Sequence, residues 1–140
     1  MATPSQEDYL EFIWVLVHDK GYACVTDLAE MLGISTASVS KMVRRLHDDG
    51  LLTYERYRGF SFTQRGREQG EMLYVRHRTL EKFFTQLTAG PPEKVYKLVE
   101  GIEHHLDFDV MRCIERLSEY IEAHPEWWRC FLESADGRGE

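Results

Sequence analysis

Residues 25–63 read VTDLAEMLGISTASVSKMVRRLHDDGLLTYERYRGFSFT, and the change of periodicity within this stretch decides the fold. Thr26 is predicted to cap a short helix that Gly33 terminates. Ser35 or Thr36 is predicted to cap a second helix that continues to about His47. The apolar positions of this second helix share one face and are Val39, Met42, Val43 and Leu46. Two helices joined by a glycine-containing turn are typical of a helix-turn-helix.

The rest of the stretch, residues 51–63, alternates with a period of two, as the strands of a β-hairpin do. Arg58-Gly59 is predicted to provide the tight turn, which places Arg56, Tyr57 and Arg58 near its tip. A two-stranded ribbon directly after a recognition helix is the wing of a winged helix. The two features together predict DNA binding more specifically than either feature alone.

Helical patterns on both sides of this stretch set the domain organisation. Thr3 is predicted to cap a first helix that continues to about Lys20 and is ended by Gly21, and Thr63 to cap a long helix that continues to about Gln86. Three shorter helices are predicted at about 92–104, 107–123 and 125–134, with Asp107 as the N-cap of the second. The sequence therefore predicts a mainly α chain. An amino-terminal winged helix-turn-helix, residues 1–72, is joined through the long helix to an all-helical dimerisation domain, residues 73–140.

The charge of the chain is unevenly distributed. The net charge is −7, which at first argues against a DNA-binding protein. Residues 41–67, however, carry seven Lys or Arg against three Asp or Glu, whereas residues 1–40 carry one against six. Because affinity for a polyanion comes from local cations and the counterions they release, one basic segment is sufficient for contact with phosphates.

Positions on the recognition helix and the wing provide the candidate DNA-binding residues. Ser35, Ala37 and Lys41 are predicted to face base edges, since Lys reaches guanine and Ala contacts the thymine methyl group. Phosphate or minor-groove contacts are predicted for Ser38, Ser40, Arg56, Tyr57 and Arg58. Thr36 belongs to the same surface, while Ser35 has the alternative role of a helix cap.

A second group of candidate functional residues consists of acidic and imidazole side chains. Glu100, Glu103 and His104 have the spacing i, i+3 and i+4, which places them on one face of a continuous helix. His77 lies on the long helix, and Asp8 and Glu11 are three residues apart on the first helix. Like charges at this spacing repel one another unless a cation binds. The set is suited to Mn²⁺ or Fe²⁺, because these ions accept carboxylate and imidazole ligands.

These motifs resemble the metal-dependent repressors of the diphtheria toxin repressor family, and within it the manganese transport regulator (MntR) branch. The stretches that carry the resemblance are DYLE at 8–11, SVSKMV at 38–43, YERYRG at 54–59, RH at 76–77 and VEGIEHHL at 99–106. The resemblance covers the chain to about residue 123. It implies a Mn²⁺-activated repressor that controls manganese uptake genes and binds palindromic double-stranded DNA as a homodimer.

The resemblance also implies a set of metal ligands. Six side chains would hold two Mn²⁺ per subunit, namely Asp8, Glu11, His77, Glu100, Glu103 and His104. Iron-responsive relatives have Met and Cys at the positions of Asp8 and Glu100, so this oxygen-rich set favours manganese. Those relatives also carry an SH3-like domain, for which we expect no room here.

The carboxy-terminal helices have apolar positions that suit either a dimer interface or an intramolecular core. These positions are Leu98, Ile102, Leu106, Val110, Ile114, Leu117 and Ile121. Bound metal is expected to tie the first helix to the helices of this domain, and thereby to fix the spacing of the two recognition helices of a dimer.

Two alternatives belong to other functional classes. The first is a metal-independent winged-helix regulator that responds to a small ligand. The second is a dinuclear carboxylate enzyme, but only residues 100–104 come near the motif that such enzymes carry twice. No P-loop, Rossmann or nucleophile-elbow motif is present, so we expect no enzyme and no organic cofactor.

The cysteines and the absence of targeting segments indicate the cellular compartment. The three cysteines, Cys24, Cys113 and Cys130, are isolated, so neither a disulfide framework nor a thiolate zinc site is expected. The chain shows neither a signal-peptide pattern nor an apolar run long enough to span a membrane. These features predict a cytoplasmic protein.

Overall fold

The fold was described from a computed structural model, which covers residues 5–136, with the side chains of 5–134. It is mainly α-helical, as predicted, with one two-stranded ribbon. In chain order the elements are α1 (Gln6–Lys20), α2 (Val25–Leu32), α3 (Thr36–Asp48), β1 (Leu52–Glu55), β2 (Gly59–Phe62), α4 (Gln64–Thr88), α5 (Pro92–Ile102), a 3₁₀ turn (Glu103–His105), α6 (Phe108–Ala123) and α7 (Pro125–Asp136). None of the helices in the described part is long and apolar enough to cross a membrane. The chain forms two compact units, which divide within α4 between Val75 and Arg76.

The amino-terminal unit is built around the apolar faces of α1, α2 and α3. Its core side chains are almost fully buried and include Ile13, Leu28, Val39, Val43, Leu46 and Phe60. Gly21 and Gly33 end α1 and α2 in the left-handed conformation, with φ of 81° and 66°. Gly33 therefore provides the predicted turn of the helix-turn-helix, and Gly21 ends the helix before it.

Two predicted helix starts need correction. The predicted cap Thr3 lies outside the described residues, and α1 begins at Gln6 with Ser5 as its cap. Ser5 and Asp8 form a capping box, in which each side chain bonds the other residue's backbone N–H. Likewise α2 begins at Val25 and not after Thr26. The Asp27 carboxylate accepts the Cys24 N–H at 3.3 Å. This contact makes Cys24 the N-cap, two residues before Thr26.

The wing is an antiparallel hairpin that is tied to the helices. Its register runs from Leu52 opposite Phe62 to Glu55 opposite Gly59. The loop is therefore the three residues 56–58 and not a two-residue turn at Arg58-Gly59. Gly59 has a φ of +106°, and a Cβ there would lie 2.5 Å from the Ala23 carbonyl oxygen. A side chain at this position would separate the wing from the segment before α2.

The carboxy-terminal unit packs α6 against the second part of α4 and against α5. Leu80, Val95 and Val99 form its buried centre, with Met111 and Ile114 of α6 packed on them. The Ser118 hydroxyl donates to the Gln86 side-chain oxygen at 2.7 Å, which fixes α6 against α4. Asp107 caps α6 as predicted, since its carboxylate accepts the Val110 N–H at 2.9 Å.

Candidate DNA interface and metal centre

The predicted DNA-reading residues occupy the exposed face of α3. Ser35, Thr36, Ala37, Ser38 and Lys41 are all exposed, and Ser40 is half-buried. Ser35 is the N-cap: its hydroxyl oxygen accepts the Ser38 N–H at 3.2 Å, and the two hydroxyls are 3.0 Å apart. The capping role considered for Ser35 is therefore present, and it leaves the hydroxyl at the surface.

Two arginines outside the predicted set belong to the same surface. Arg44 and Arg45 line a shallow concavity on α3 together with Ala37, Ser40 and Lys41. Their spacing, i+3 and i+4 from Lys41, already placed them near it on the helix. The concavity ends at Asp48 and Asp49, whose carboxylates repel phosphate and so limit the basic surface.

The wing tip presents an aromatic ring between two arginines. Tyr57 is 90% exposed and adopts a left-handed backbone conformation with φ of 71°. The Arg56 guanidinium lies 5.0 Å from the centre of the Tyr57 ring, a cation–π distance. Arg58 pairs with Glu55 at 3.5 Å. A non-glycine residue in this conformation costs free energy, and such residues concentrate at functional sites.

The amino-terminal unit contributes two of the predicted metal ligands. Asp8 and Glu11 are half-buried on α1, next to the buried core residues Tyr9 and Leu10. Asp8 also serves the capping box of α1, since its Oδ2 accepts the Ser5 N–H at 2.8 Å. Burial raises the pKa of the adjacent Tyr9 phenol above its ordinary value.

The carboxy-terminal unit brings three predicted ligands together. The Nδ1 atom of His77 lies 2.8 Å from Oε2 of Glu103, and Nε2 of His104 lies 3.6 Å from Oε1 of Glu103. His77 is 7% exposed and Glu103 is completely buried. Oε1 of Glu103 has no hydrogen-bond partner among residues 5–136. A buried carboxylate oxygen without a donor is costly, and a cation bound beside two imidazoles would compensate it.

The turn that carries Glu103 differs from the prediction. Helix α5 ends at Ile102, and residues 103–105 form a 3₁₀ turn in which the Leu106 N–H bonds the Glu103 carbonyl oxygen. The tighter winding rotates Glu103 inward, while Glu100 on α5 remains exposed. The Glu100 carboxylate makes no hydrogen bond or ion pair to another described residue. The continuous helical face predicted for residues 100–104 is therefore not formed.

His104 has a second neighbour. The Arg76 Nη2 atom lies 3.2 Å from His104 Nδ1. A guanidinium only donates hydrogen bonds, so Nδ1 accepts and contributes its lone pair. A metal ligand needs that same lone pair, because a neutral imidazole has only one. This contact must therefore break before His104 coordinates an ion.

One carboxylate near this cluster was missed in the sequence. Glu81 Oε1 lies 2.6 Å from Nε2 of His77, one turn further along α4. The spacing His-x-x-x-Glu on a helix was visible, but it is common on solvated helices. The donors of this unit are thus imidazole nitrogens and carboxylate oxygens. Such a set is typical of sites for Mn²⁺ and other divalent ions that accept hard ligands.

Comparisons with known proteins identify the family. Residues 1–60 match the family described as "Iron dependent repressor, N-terminal DNA binding domain". Residues 63–127 match "Iron dependent repressor, metal binding and dimerisation domain". The chain is 46% identical over 122 residues to the HTH-type transcriptional regulator MntR of Geobacillus kaustophilus, covering 87% of this chain and 86% of that protein. The chain belongs to the MntR branch of the diphtheria toxin repressor family.

Other members agree with this assignment. The MntR protein of Bacillus subtilis is also 46% identical, over 87% of the chain and 85% of its own length. Among solved structures, T. acidophilum IdeR has a TM-score of 0.73 at 26% identity over 84% of this chain. The manganese regulator SloR has a TM-score of 0.74 at 25% identity over 85% of it. The chain spans 55% of the length of each of these two structures.

Membership in the MntR branch confirms the family resemblance and the functional class predicted from the motifs. Its relatives are transcriptional regulators, so the chain is a regulator and not an enzyme. The family descriptions assign DNA binding to the amino-terminal part, and metal binding and dimerisation to the carboxy-terminal part.

Proposed function

We propose that this chain is a manganese-responsive repressor that binds palindromic operator DNA as a homodimer and controls manganese uptake genes in the cytoplasm. The observation that carries the proposal is the completely buried Glu103 carboxylate, which lies between His77 and His104 and has one oxygen without a hydrogen bond. In a DNA-binding family, a buried cation site is best explained as a regulatory switch. The names of the MntR and SloR relatives support manganese as the cation.

The proposed ligand set draws on both proposed domains, the DNA-binding domain of residues 1–72 and the helical domain of residues 73–140. Asp8, Glu11, His77, Glu100, Glu103 and His104 are assigned to two Mn²⁺ per subunit. The ions would supply positive charge that offsets the repulsion among four carboxylates. Because α1 carries two of the ligands, occupancy favours one arrangement of the DNA-binding unit. Exposed Glu100 has the freedom to turn toward an ion, since its carboxylate makes no competing bond to the described residues.

The proposed operator contacts follow from exposure and position. Ser35, Ala37 and Lys41 on α3 are assigned to base edges, with Thr36, Ser38 and Ser40 beside them. Arg56, Tyr57 and Arg58 of the wing are assigned to phosphates or the minor groove. Arg44 and Arg45 add positive charge to the same face of α3.

The proposed dimer contact uses the exposed edge of the apolar stripe on α6. The inner part of this stripe, with Met111, Ile114 and Ile121, packs inside the protomer. Val110, Leu117 and Tyr120 lie along its outer edge and are 42%, 42% and 49% exposed. Exposed apolar side chains concentrated on one helix face indicate an interface, and the family description of residues 63–127 supports a second copy as the partner.

This division corrects the role of several predicted interface residues. Ile121 is buried within the protomer, and Leu106 and Ile114 pack on its core. Phe108 and Tyr120, which were not predicted as interface residues, are exposed and join the proposed dimer contact. The Trp127 ring on α7 contacts the Tyr120 ring edge to face, with 5.4 Å between the ring centres. The alternative of an intramolecular core thus holds for part of the predicted list.

The wing tip supports a prediction that separates strain from DNA contact. Tyr57→Ala and Tyr57→Gly both remove the ring, and only glycine relieves the left-handed backbone, whose cost is about 1 kcal/mol. We expect Tyr57→Gly to unfold at a higher denaturant concentration than Tyr57→Ala. We expect both variants to lose about fivefold in operator affinity, the equivalent of one hydrogen bond of about 1 kcal/mol. Unchanged operator affinity in both variants would show that Tyr57 does not contact DNA. Equal unfolding midpoints for the two variants would contradict backbone strain at this position.

The function is tested by fluorescence anisotropy on a labelled promoter fragment taken upstream of a manganese uptake gene of the same genome. Binding is measured at fixed salt, with a chelator and then with Mn²⁺, because salt concentration alone changes DNA affinity. We expect Mn²⁺ to tighten binding at least tenfold, and a scrambled duplex of equal length to show no such gain. Equal affinity under both conditions would favour a constitutive or small-ligand regulator.

A further inference from the structure

The His77 imidazole has a carboxylate at each nitrogen. Nδ1 lies 2.8 Å from Glu103 Oε2, and Nε2 lies 2.6 Å from Glu81 Oε1. The ring is 7% exposed, and the Tyr96 ring packs beside it at 5.1 Å between centres. These contacts fix both the position and the tilt of the imidazole.

A neutral imidazole can use only one nitrogen as a metal ligand. The other nitrogen carries the proton and donates a hydrogen bond, which in metal sites usually goes to a carboxylate that orients the ring. If His77 is a ligand, one of the carboxylates of Glu81 and Glu103 therefore shares the ion and the other accepts the N–H. The two carboxylates differ enough in their surroundings to assign these roles.

Glu103 has the properties of the carboxylate that shares the ion. It is completely buried, and its Oε1 lacks a hydrogen bond from any residue in the described range. Glu81 has both oxygens in use: Oε1 faces His77, and Oε2 accepts from Arg78 Nη1 at 3.4 Å. Its side chain is also 26% exposed, so its charge needs no cation to compensate burial.

We propose that Glu81 is a positioning residue of the metal site: it accepts the Nε2–H of His77 and thereby presents Nδ1 to the ion. The inference rests on the proposed function, because it requires His77 to be a ligand. Glu81 is four residues after His77 on α4, so the helix holds the two side chains in register. The Arg78 contact restrains the carboxylate from the other side. In this assignment Glu81 itself coordinates no metal.

The test titrates Mn²⁺ into the full chain by calorimetry, comparing wild type with Glu81→Leu and Glu81→Gln. Loss of an orienting partner typically costs 10- to 100-fold in metal affinity. We expect that loss for Glu81→Leu, and a smaller one for Glu81→Gln, whose amide oxygen still accepts the Nε2–H. The number of ions bound per chain should stay at the wild-type value. Glu122→Gln is the matched control, since this exposed glutamate pairs with Lys82 at 2.8 Å, away from His77.

The outcomes separate this inference from the proposed function. A wild-type chain that binds no Mn²⁺ would overturn the function itself. Wild-type binding with unchanged affinity in both Glu81 variants would overturn only the positioning role. A lower number of bound ions in both variants would make Glu81 a ligand and would likewise contradict the assignment.

A spectroscopic readout covers the case in which Glu81→Leu folds poorly. The wild-type chain labelled with ¹⁵N-histidine is loaded with diamagnetic Cd²⁺, and the ring nitrogens of His77 are observed by NMR. We expect the proton on Nε2 and the metal at Nδ1. In Glu81→Gln the Nε2–H signal should shift while coordination at Nδ1 persists. Coordination through Nε2 in the wild type would overturn the proposal.

Discussion

Glu103→Gln is expected to abolish the gain in operator affinity that Mn²⁺ gives the wild-type chain. Glutamine keeps the size of the side chain and can still accept a hydrogen bond from His77. It loses the negative charge of the one predicted ligand that is completely buried. Coupling between two binding sites is typically 1–3 kcal/mol, or about 5- to 150-fold, and the variant should lose all of it.

Two measurements distinguish this effect from simple unfolding. In the anisotropy assay, Glu103→Gln with Mn²⁺ should bind the promoter fragment no more tightly than it does with chelator. In thermal melts, Mn²⁺ should raise the melting temperature of the wild type and not of the variant, since only a ligand of the folded state stabilises it. Glu115→Gln, an exposed substitution on α6, is the control and should behave as wild type. A full Mn²⁺ response in Glu103→Gln would contradict the proposed site.

Leu117→Lys is expected to convert the dimer into a monomer. Leu117 lies on the exposed face of α6, beside Val110 and Tyr120. Burying an unpaired ammonium in an apolar interface costs several kcal/mol, which corresponds to a loss of more than a hundredfold in dimer affinity. A monomer presents one recognition helix instead of two, so operator affinity should fall with dimerisation.

Sedimentation velocity over a range of chain concentrations checks this expectation. Glu115→Lys introduces the same side chain on the same helix, but away from the apolar face, and should leave the dimer intact. The fold of Leu117→Lys should also persist, because Leu117 is not part of the protomer core. A Leu117→Lys chain that sediments like wild type would place the dimer contact elsewhere.

The elements of this protein follow from local signals in its sequence. Gly21, Gly33, Ser35 and Asp107 end or begin helices at the predicted positions. The wing was predicted because the period changes from 3.6 to two directly after α3. These signals act between residues a few positions apart, so one sequence is enough to reveal them. The exceptions, at Thr3 and Thr26, are starts where a neighbouring residue provides a competing cap.

The environment of the candidate ligands was decided by tertiary structure. The spacing of Glu100, Glu103 and His104 predicted a shared helical face, yet a 3₁₀ turn buries Glu103 and leaves Glu100 exposed. Glu81 drew no attention in the sequence, because a His and a Glu four residues apart are ordinary on a helix. Its contact with His77 suggests a positioning role only because Glu103, 26 residues after His77 in the chain, lies at the other ring nitrogen.

The apolar stripe of α6 likewise shows what the sequence could not determine. Helical periodicity identified Ile114, Leu117 and Ile121 as apolar positions without separating those buried in the protomer from those at its surface. That separation depends on which part of the stripe the side chains of α4 and α5 cover, and these contacts join residues far apart in the chain. Local propensity and capping thus determined the helices and the wing. Burial, which sets the chemistry of Glu103 and the role of Leu117, depended on packing between distant segments.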